Sequence, residues 1–217
     1  STTIALKSFP WPLAQVRRSP VGARNWGMDG GAHDDLSVGM SRMIVLDLFC
    51  GLGGFSAAFR ERRHRVVGLD LLRPCDVRAD VRRLPFADTF RPDVVLASPP
   101  CTEFSREFMP WCRTGQPPSL DLVRAAADAV LLLRPRWWVL ENVRGAVTPV
   151  LPMLGPFSQR IGSRYLWGRF PLLLGVDGRE AEGKERLGPG VPNRSRIRSL
   201  VPYVISRALC LAMENAL

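Results

Sequence analysis

Lysine is almost absent from this 217-residue chain, since only Lys7 and Lys184 stand among its 30 basic residues and all the others are arginines. Long apolar runs are missing too, and no stretch approaches the roughly 18 apolar residues of a membrane span. The five cysteines include no C-x-x-C pair, which argues against a zinc site and a disulfide framework. An odd number of free thiols suits a reducing compartment. We therefore expect a cytoplasmic protein with no metal and no membrane attachment.

The composition has an excess of positive charge instead. The formal net charge is +10 at pH 7, which favours a polyanionic partner such as nucleic acid. Arginine is well suited to this task because its planar guanidinium contacts a phosphate with two hydrogen bonds. A GC-rich genome would also enrich arginine codons, and no linear basic run marks a binding stripe. Charge alone thus leaves both explanations open.

Apolar segments that end in turns alternate with helical segments along the middle of the chain. This order predicts an α/β domain, with a doubly wound, mostly parallel sheet and helices on both of its faces. A helix is expected near 119–133, beginning at Ser119. The expected strands cover residues 43–49, 65–71, 93–98 and 137–142.

The two ends of the chain have a different character. Residues 1–42 show little periodicity and predict a flexible arm, which is either a simple extension or a contact to substrate or partner. Residues 43–217 predict one domain. Within it, 163–175 suggests a hairpin of two strands (163–170 and 171–175), 176–198 a polar loop, and 199–217 an amphipathic closing helix.

Three motifs follow predicted strands, where open parallel sheets bind their ligands. "DLFCGLGGFS" (47–56) is a glycine-rich turn of the kind that lets a backbone approach a cofactor. Asp70 ends the second strand, where a carboxylate commonly accepts from ribose hydroxyls. Asp80 follows shortly after and either accepts from an adenine amino group or is a solvated charge among arginines.

Cys101 and Glu141 follow the next two strands. Cys101 comes after a rigid Ser-Pro-Pro turn and is either a packed thiol or a nucleophile aimed at a bound group. Glu141 closes the apolar run 137–140, where an ionised carboxylate is costly unless it has a partner or a catalytic role. A structural carboxylate that caps a turn remains the alternative.

"DLFCGLGG" (47–54), "PPC" (99–101) and "ENV" (141–143) occur in this order and at spacings that closely resemble those of the C5-cytosine DNA methyltransferases. The resemblance covers residues 43 to about 175 and the final helix. It implies a Rossmann-like fold that uses S-adenosylmethionine, in the setting of a phage or of bacterial restriction-modification, and a cytosine in DNA as the substrate.

The same resemblance implies a role for each matching residue. Cys101 would add to carbon 6 of cytosine, which makes carbon 5 able to accept a methyl group. Glu141 would hold the ring N3 and the amino group, Asn142 would orient the loop that carries Cys101, and Arg164 would contact the cytosine O2. The expected S-adenosylmethionine contacts are Phe49, Gly51, Gly54, Asp70, Asp80, Val81, Pro100 and Ser199.

The chain departs from the family pattern at several positions. Thr102 replaces the usual glutamine after the nucleophile, Gly162 replaces the first arginine of an R-x-R element, and Arg198 stands where an asparagine is usual. Only the loop 176–198 occupies the place of the family's target recognition domain, and it is too short to form one. We therefore expect low or very short sequence specificity, a preference for single-stranded DNA, or a protein partner that supplies recognition.

Two other functions stay open at this level. The chain could methylate cytosine in RNA or in a free nucleotide, although a nucleotide enzyme would not need the basic charge. A catalytically silent regulator with the same fold is the alternative from another class. The presence of both Cys101 and Glu141 argues against it.

Overall fold

A computed structural model of the chain describes residues 42–72, 74–86, 89–106, 108–109, 111, 113–179, 197 and 199–217. The predicted arm, apart from its last residue, and most of the predicted loop 176–198 therefore lie outside the described residues.

Seven strands of the described chain form one sheet in the order β3-β2-β1-β4-β5-β7-β6. Strands β1 to β5 are parallel to one another, and β7 pairs antiparallel with both β5 and β6. The order reverses beside β1, because the chain first moves outward to β2 and β3 and then returns to β4 on the other side. The strands are β1 (Ile44–Leu48), β2 (Arg65–Asp70), β3 (Val77–Arg78), β4 (Val94–Ala97), β5 (Trp137–Val143), β6 (Gln159–Ile161) and β7 (Arg164–Arg169).

Helices cover both faces of this sheet, which confirms the predicted doubly wound α/β architecture. Successive strand residues point to opposite faces, and in β4 Val95 packs with the α3 side while Val94 and Leu96 pack with the α5 side. The two apolar cores are therefore separated by the sheet itself. The helices are α1 (Ala57–Glu61), α2 (Thr102–Arg106), α3 (Asp121–Leu133), α4 (Val147–Leu154) and α5 (Tyr203–Glu214).

The predicted second strand at 171–175 is wrong. The hairpin partner of β7 is β6, which precedes it in the chain. Because β7 already pairs with β5 on one edge and with β6 on the other, β7 has no edge left to pair with residues 171–175. Leu172 and Leu174 are accordingly 64% and 81% exposed.

Two predicted helix starts are also displaced. Helix α3 begins at Asp121, and the hydroxyl of Ser119 accepts a hydrogen bond from the Asp121 N–H at 3.2 Å, two residues ahead of the helix. Helix α5 begins at Tyr203, directly after Pro202, whose fixed φ suits the entry to a helix. Residues 199–201 therefore lie outside the closing helix.

No helix in the described part of the chain is long and apolar enough to cross a membrane.

Candidate active site

A cleft of about 570 Å³ opens at the carboxyl ends of β1, β2, β4 and β5. This is the edge where the strand order reverses, and it is the usual ligand site of doubly wound sheets. The antiparallel β7 adds its first residue, Arg164, at the same edge, since that residue pairs with Val143 at the end of β5. Every residue predicted for the site lines this cleft except Asn142, which is buried.

The glycine-rich turn after β1 forms one wall with its backbone. Phe49, Gly51 and Gly53 all have positive φ (59°, 54° and 81°), a conformation that glycine adopts without cost. Gly54 is packed under the segment before α5, because a Cβ there would lie 2.8 Å from a methyl carbon of Leu200. The absence of a side chain at Gly54 therefore lets the turn pack directly against that segment.

Asp70 links the end of β2 to this turn. Its Oδ2 accepts from the Gly51 N–H and its Oδ1 from the Leu72 N–H, each at 2.9 Å. Each carboxylate oxygen has two lone pairs, so both can accept one more donor from the cleft. Leu71 and Leu72 beside it are 54% and 60% exposed, which leaves apolar surface that a bound ligand would cover.

Asp80 also lines the cleft, but its carboxylate is occupied. Arg82 donates to both carboxylate oxygens, with a closest N–O distance of 2.6 Å. These hydrogen bonds lower the pKa of Asp80 to about 2. This arrangement favours the second interpretation of Asp80 offered by the sequence, a charge among arginines, over a contact to an adenine amino group. The adjacent Val81 is 5% exposed and packs in the core below the cleft.

Cys101 is a half-buried free thiol directly before helix α2. Asn142, which is 1% exposed, holds the Pro-Pro turn that carries Cys101. The Asn142 Nδ2 donates to the Pro99 carbonyl oxygen at 3.0 Å, and its Oδ1 accepts from the Val143 N–H at 2.9 Å. The end of β5 therefore holds the Pro-Pro turn after β4 in one position.

Glu141 is 2% exposed and has a specific partner on each oxygen. The Ser98 hydroxyl donates to Oε2 at 2.7 Å, and the Arg164 guanidinium donates to Oε1 at 2.9 Å. Arg164 is itself 8% exposed and donates its other Nη to the Leu200 carbonyl oxygen at 3.0 Å. Nothing in the sequence indicated that Ser98 would be a partner of Glu141, because only the fold brings the ends of β4 and β5 together.

Asp47, the first residue of the motif at 47–56, is a buried acid whose burial the sequence did not indicate. The Ser56 hydroxyl donates to its Oδ2 at 2.5 Å, and its Oδ1 has no hydrogen-bond partner among the described residues. Burial raises the pKa of Asp47 to about 7. Asp47 lies outside the cleft lining and connects β1 to the start of α1.

One group of His, Cys and Glu side chains in the described residues could in principle hold a metal ion, namely His64, Cys210 and Glu214. His64 already accepts from the Met43 N–H at 3.2 Å and meets Glu214 at 2.9 Å. Arg62 donates to both oxygens of Glu214 at 2.8 Å. The Cys210 thiol donates to the Glu214 Oε1 at 3.9 Å. These contacts join the residue before β2 to α5.

The chain is similar to type II methyltransferases. It is 31% identical over 128 residues to the type II methyltransferase M.AplI of Arthrospira platensis, which covers 52% of this chain and 36% of that protein. It is 27% identical over 117 residues to M.HindV of Haemophilus influenzae (46% and 38%) and 27% identical over 121 residues to M.HgiGI of Herpetosiphon aurantiacus (48% and 93%). No family model matches the chain.

The chain spans little more than a third of the length of M.AplI and M.HindV. The names of these relatives specify methyl transfer, and they do not specify the atom that is methylated.

Proposed function

We propose that this chain transfers a methyl group from S-adenosylmethionine to carbon 5 of cytosine in DNA, through a covalent bond between Cys101 and carbon 6. The observation that carries the proposal is the meeting of Cys101 and Glu141 with the glycine turn and Asp70 in one cleft. The similarity to type II methyltransferases supports methyl transfer to DNA as the reaction class.

The cleft fits S-adenosylmethionine on chemical grounds. The turn around Gly51 and Gly54 leaves room beside the backbone, and Asp70 keeps lone pairs for ribose hydroxyls. The exposed side chains of Leu71 and Leu72 offer apolar contacts to a purine ring. When bound, S-adenosylmethionine supplies an electrophilic methyl group. Phe49, Val81, Pro100 and Ser199 complete the wall that would hold it.

The protein's own residues account for the activation of cytosine. The Cys101 thiolate forms a bond to carbon 6, and the electron pair of the 5,6 double bond then makes carbon 5 nucleophilic. Glu141 shares a proton with the ring N3 and takes up the charge that develops there, while Ser98 and Arg164 keep its carboxyl group oriented. Once carbon 5 carries the methyl group, a base removes its proton and the Cys101 sulfur leaves.

The chain offers little that could recognise a particular DNA sequence. Readout of several base pairs needs a dedicated element in the major groove, and the part of the chain between β7 and α5 is short. We propose low or very short sequence specificity, with phosphate contacts from arginines or help from a protein partner. The mechanism needs Cys101 in the reduced state, which favours the cytoplasm.

The test measures the transfer of tritium from labelled S-adenosylmethionine to duplex DNA, single-stranded DNA, tRNA and dCMP. We expect 5-methylcytosine in DNA with the wild type and none with Cys101→Ser. The matched control is Cys75→Ala, because Cys75 is a half-buried free thiol outside the cleft lining. Label only in tRNA or dCMP would overturn DNA as the substrate, and full activity in Cys101→Ser would overturn the nucleophile.

A second measurement tests the covalent step directly. In DNA that contains 5-fluorocytosine, carbon 5 carries fluorine in place of the proton that must leave, so elimination stops after methyl transfer. We expect a stable adduct between the protein and this DNA, visible on a denaturing gel with the wild type and with Cys75→Ala. Its absence in the presence of active methyl transfer would contradict a covalent mechanism.

A further inference from the structure

Two large aromatic side chains are exposed shortly after Cys101 in the chain. Phe108 is 61% exposed and Trp111 is 81% exposed, whereas Trp167 is fully buried. Leaving such a ring in water forgoes the favourable free energy that its burial would contribute. We refer to these two side chains as the aromatic pair.

The aromatic pair follows the site without a long connection. Helix α2 begins at Thr102, which lines the cleft beside Cys101, and Phe108 comes just after its last turn. Phe108 lies over the turn that follows β5, because a Cβ on Gly145 would be 2.9 Å from the Phe108 ring. That turn comes directly after Glu141 and Asn142. The aromatic pair therefore belongs to the segment between the two residues proposed to handle cytosine.

The charges around this segment suit a phosphate backbone. Arg144, beside Gly145, is exposed, and the whole chain carries a formal net charge of +10 at pH 7. The acid on α2, Glu103, already accepts from the Ser119 N–H at 2.7 Å, so part of its charge is held by the protein. Exposed aromatic rings next to arginines are the combination that binds unpaired nucleotides, because bases stack on the rings and phosphates contact the guanidinium groups.

We propose that the aromatic pair is a stacking platform for unpaired bases, and that the preferred substrate of this chain is single-stranded DNA. The proposal rests on the proposed function and narrows its substrate class. In a duplex every base is already stacked on its neighbours, and extrusion of one cytosine has to break both its stacking and its pairing. A single strand avoids this cost and leaves its bases available to Trp111 and Phe108.

Fluorescence anisotropy of a labelled single-stranded oligonucleotide and of the matching duplex tests the proposal without any need for catalysis. Trp111→Ala should weaken single-strand binding by about 5-fold to 100-fold, the loss expected for one base–aromatic stack. Duplex binding should stay within about twofold of the wild type. Trp111→Phe keeps an aromatic ring and should restore most of the single-strand affinity.

The matched control is Leu132→Ala. Leu132 is 63% exposed, and it lies near the end of α3, which leads into the start of β5 at the sheet edge opposite the cleft. It should bind both DNAs like the wild type. Equal losses for single strand and duplex in Trp111→Ala would overturn the proposal, and so would unchanged binding or a wild type that prefers the duplex.

The Cys101→Ser variant separates this proposal from the proposed function. If it binds single-stranded DNA like the wild type and Trp111→Ala does not, the stacking platform stands even where no methyl transfer is found. If methyl transfer is strong but Trp111→Ala affects neither binding nor the ratio of single-strand to duplex product, the platform is wrong and the proposed reaction stands.

Discussion

Arg164 and Glu141 form an ion pair at 2.9 Å in which both side chains are nearly inaccessible to solvent. The same guanidinium donates to the Leu200 carbonyl oxygen, and Leu200 packs on Gly54 of the glycine turn. One arginine therefore connects the proposed acid with the segment that closes over the proposed cofactor site. A shift of Glu141 would therefore displace Leu200 through Arg164, and a shift of Leu200 would displace Glu141.

Removal of Arg164 should destabilise the fold more than its size suggests. Arg164→Met leaves Glu141 buried with Ser98 as its remaining side-chain partner, and breaking such a buried pair costs about 3–5 kcal/mol. In the double variant Arg164→Met with Glu141→Gln no charge is left unpaired, so the loss should be smaller than the sum of the two single losses. Urea unfolding of the four proteins measures this coupling. Strict additivity would show that the pair is not coupled.

Asp70 should matter more than Asp80 for the cofactor. Asp70 keeps free lone pairs toward the cleft, whereas Asp80 is held by Arg82. Asp70→Asn should weaken binding of S-adenosylhomocysteine by about 10-fold to 100-fold through the loss of charge-assisted hydrogen bonds. Asp80→Asn should weaken it by less than about 5-fold. Isothermal titration calorimetry measures both affinities. A larger loss in Asp80→Asn than in Asp70→Asn would show that Asp80 is the main contact.

Gly145 should be intolerant of any side chain. A Cβ there would lie 1.9 Å from the Phe104 carbonyl oxygen, so Gly145→Ala must push α2 away from the turn after β5. We expect a loss of about 2–3 kcal/mol from overpacking and a marked fall in methyl transfer, since α2 follows Cys101. The control is Gly175→Ala, where the Cβ meets nothing within 4 Å and the positive φ of 70° alone costs about 1 kcal/mol. Equal stability and equal activity in the two variants would contradict this account.

Asp47 should make the fold less stable as pH rises. Its pKa is about 7 in the folded chain against a usual 3.8, so the folded state holds a proton that the unfolded state has lost between these values. The free energy of unfolding should therefore fall by up to about 4 kcal/mol from pH 4 to pH 8 on account of this group. Asp47→Asn should remove this part of the pH dependence. Denaturant unfolding at several pH values measures it, and parallel profiles for the two proteins would refute the assignment.

The strands and the residues at their ends were predictable because parallel strands are short apolar runs that stop at turns. Cys101, Glu141 and Asp70 lie in one cleft for that reason. The prediction of a strand at 171–175 failed because the apolar residues there carry no information about which strands are already paired on both edges. Strand β6, whose three residues are Gln, Arg and Ile, has too weak an alternation to be recognised.

The side-chain partners were not predictable, because they come from distant parts of the chain. Ser98 and Arg164 meet Glu141 only after three strands have assembled in the correct register. Arg82 binds Asp80 across a two-residue turn, and sequence alone offered this pairing only as an alternative to a ligand contact. The burial of Asp47 likewise depends on α1 and α5, because both helices pack on one face of the sheet, beside β1.

The glycine turn meets the segment before α5 near a contact that spans 148 positions, between the Ala58 N–H and the Ser206 hydroxyl. Synthesis on the ribosome separates these two parts in time. At about 5–20 residues per second, the interval between them is on the order of ten seconds. For most of that interval, between the synthesis of Asp70 and that of Leu200, the nascent chain has Gly51 and Asp70 but lacks Leu200, so the cleft is missing one wall. The proposed nucleophile Cys101 is thus translated well before the proposed cofactor site is complete.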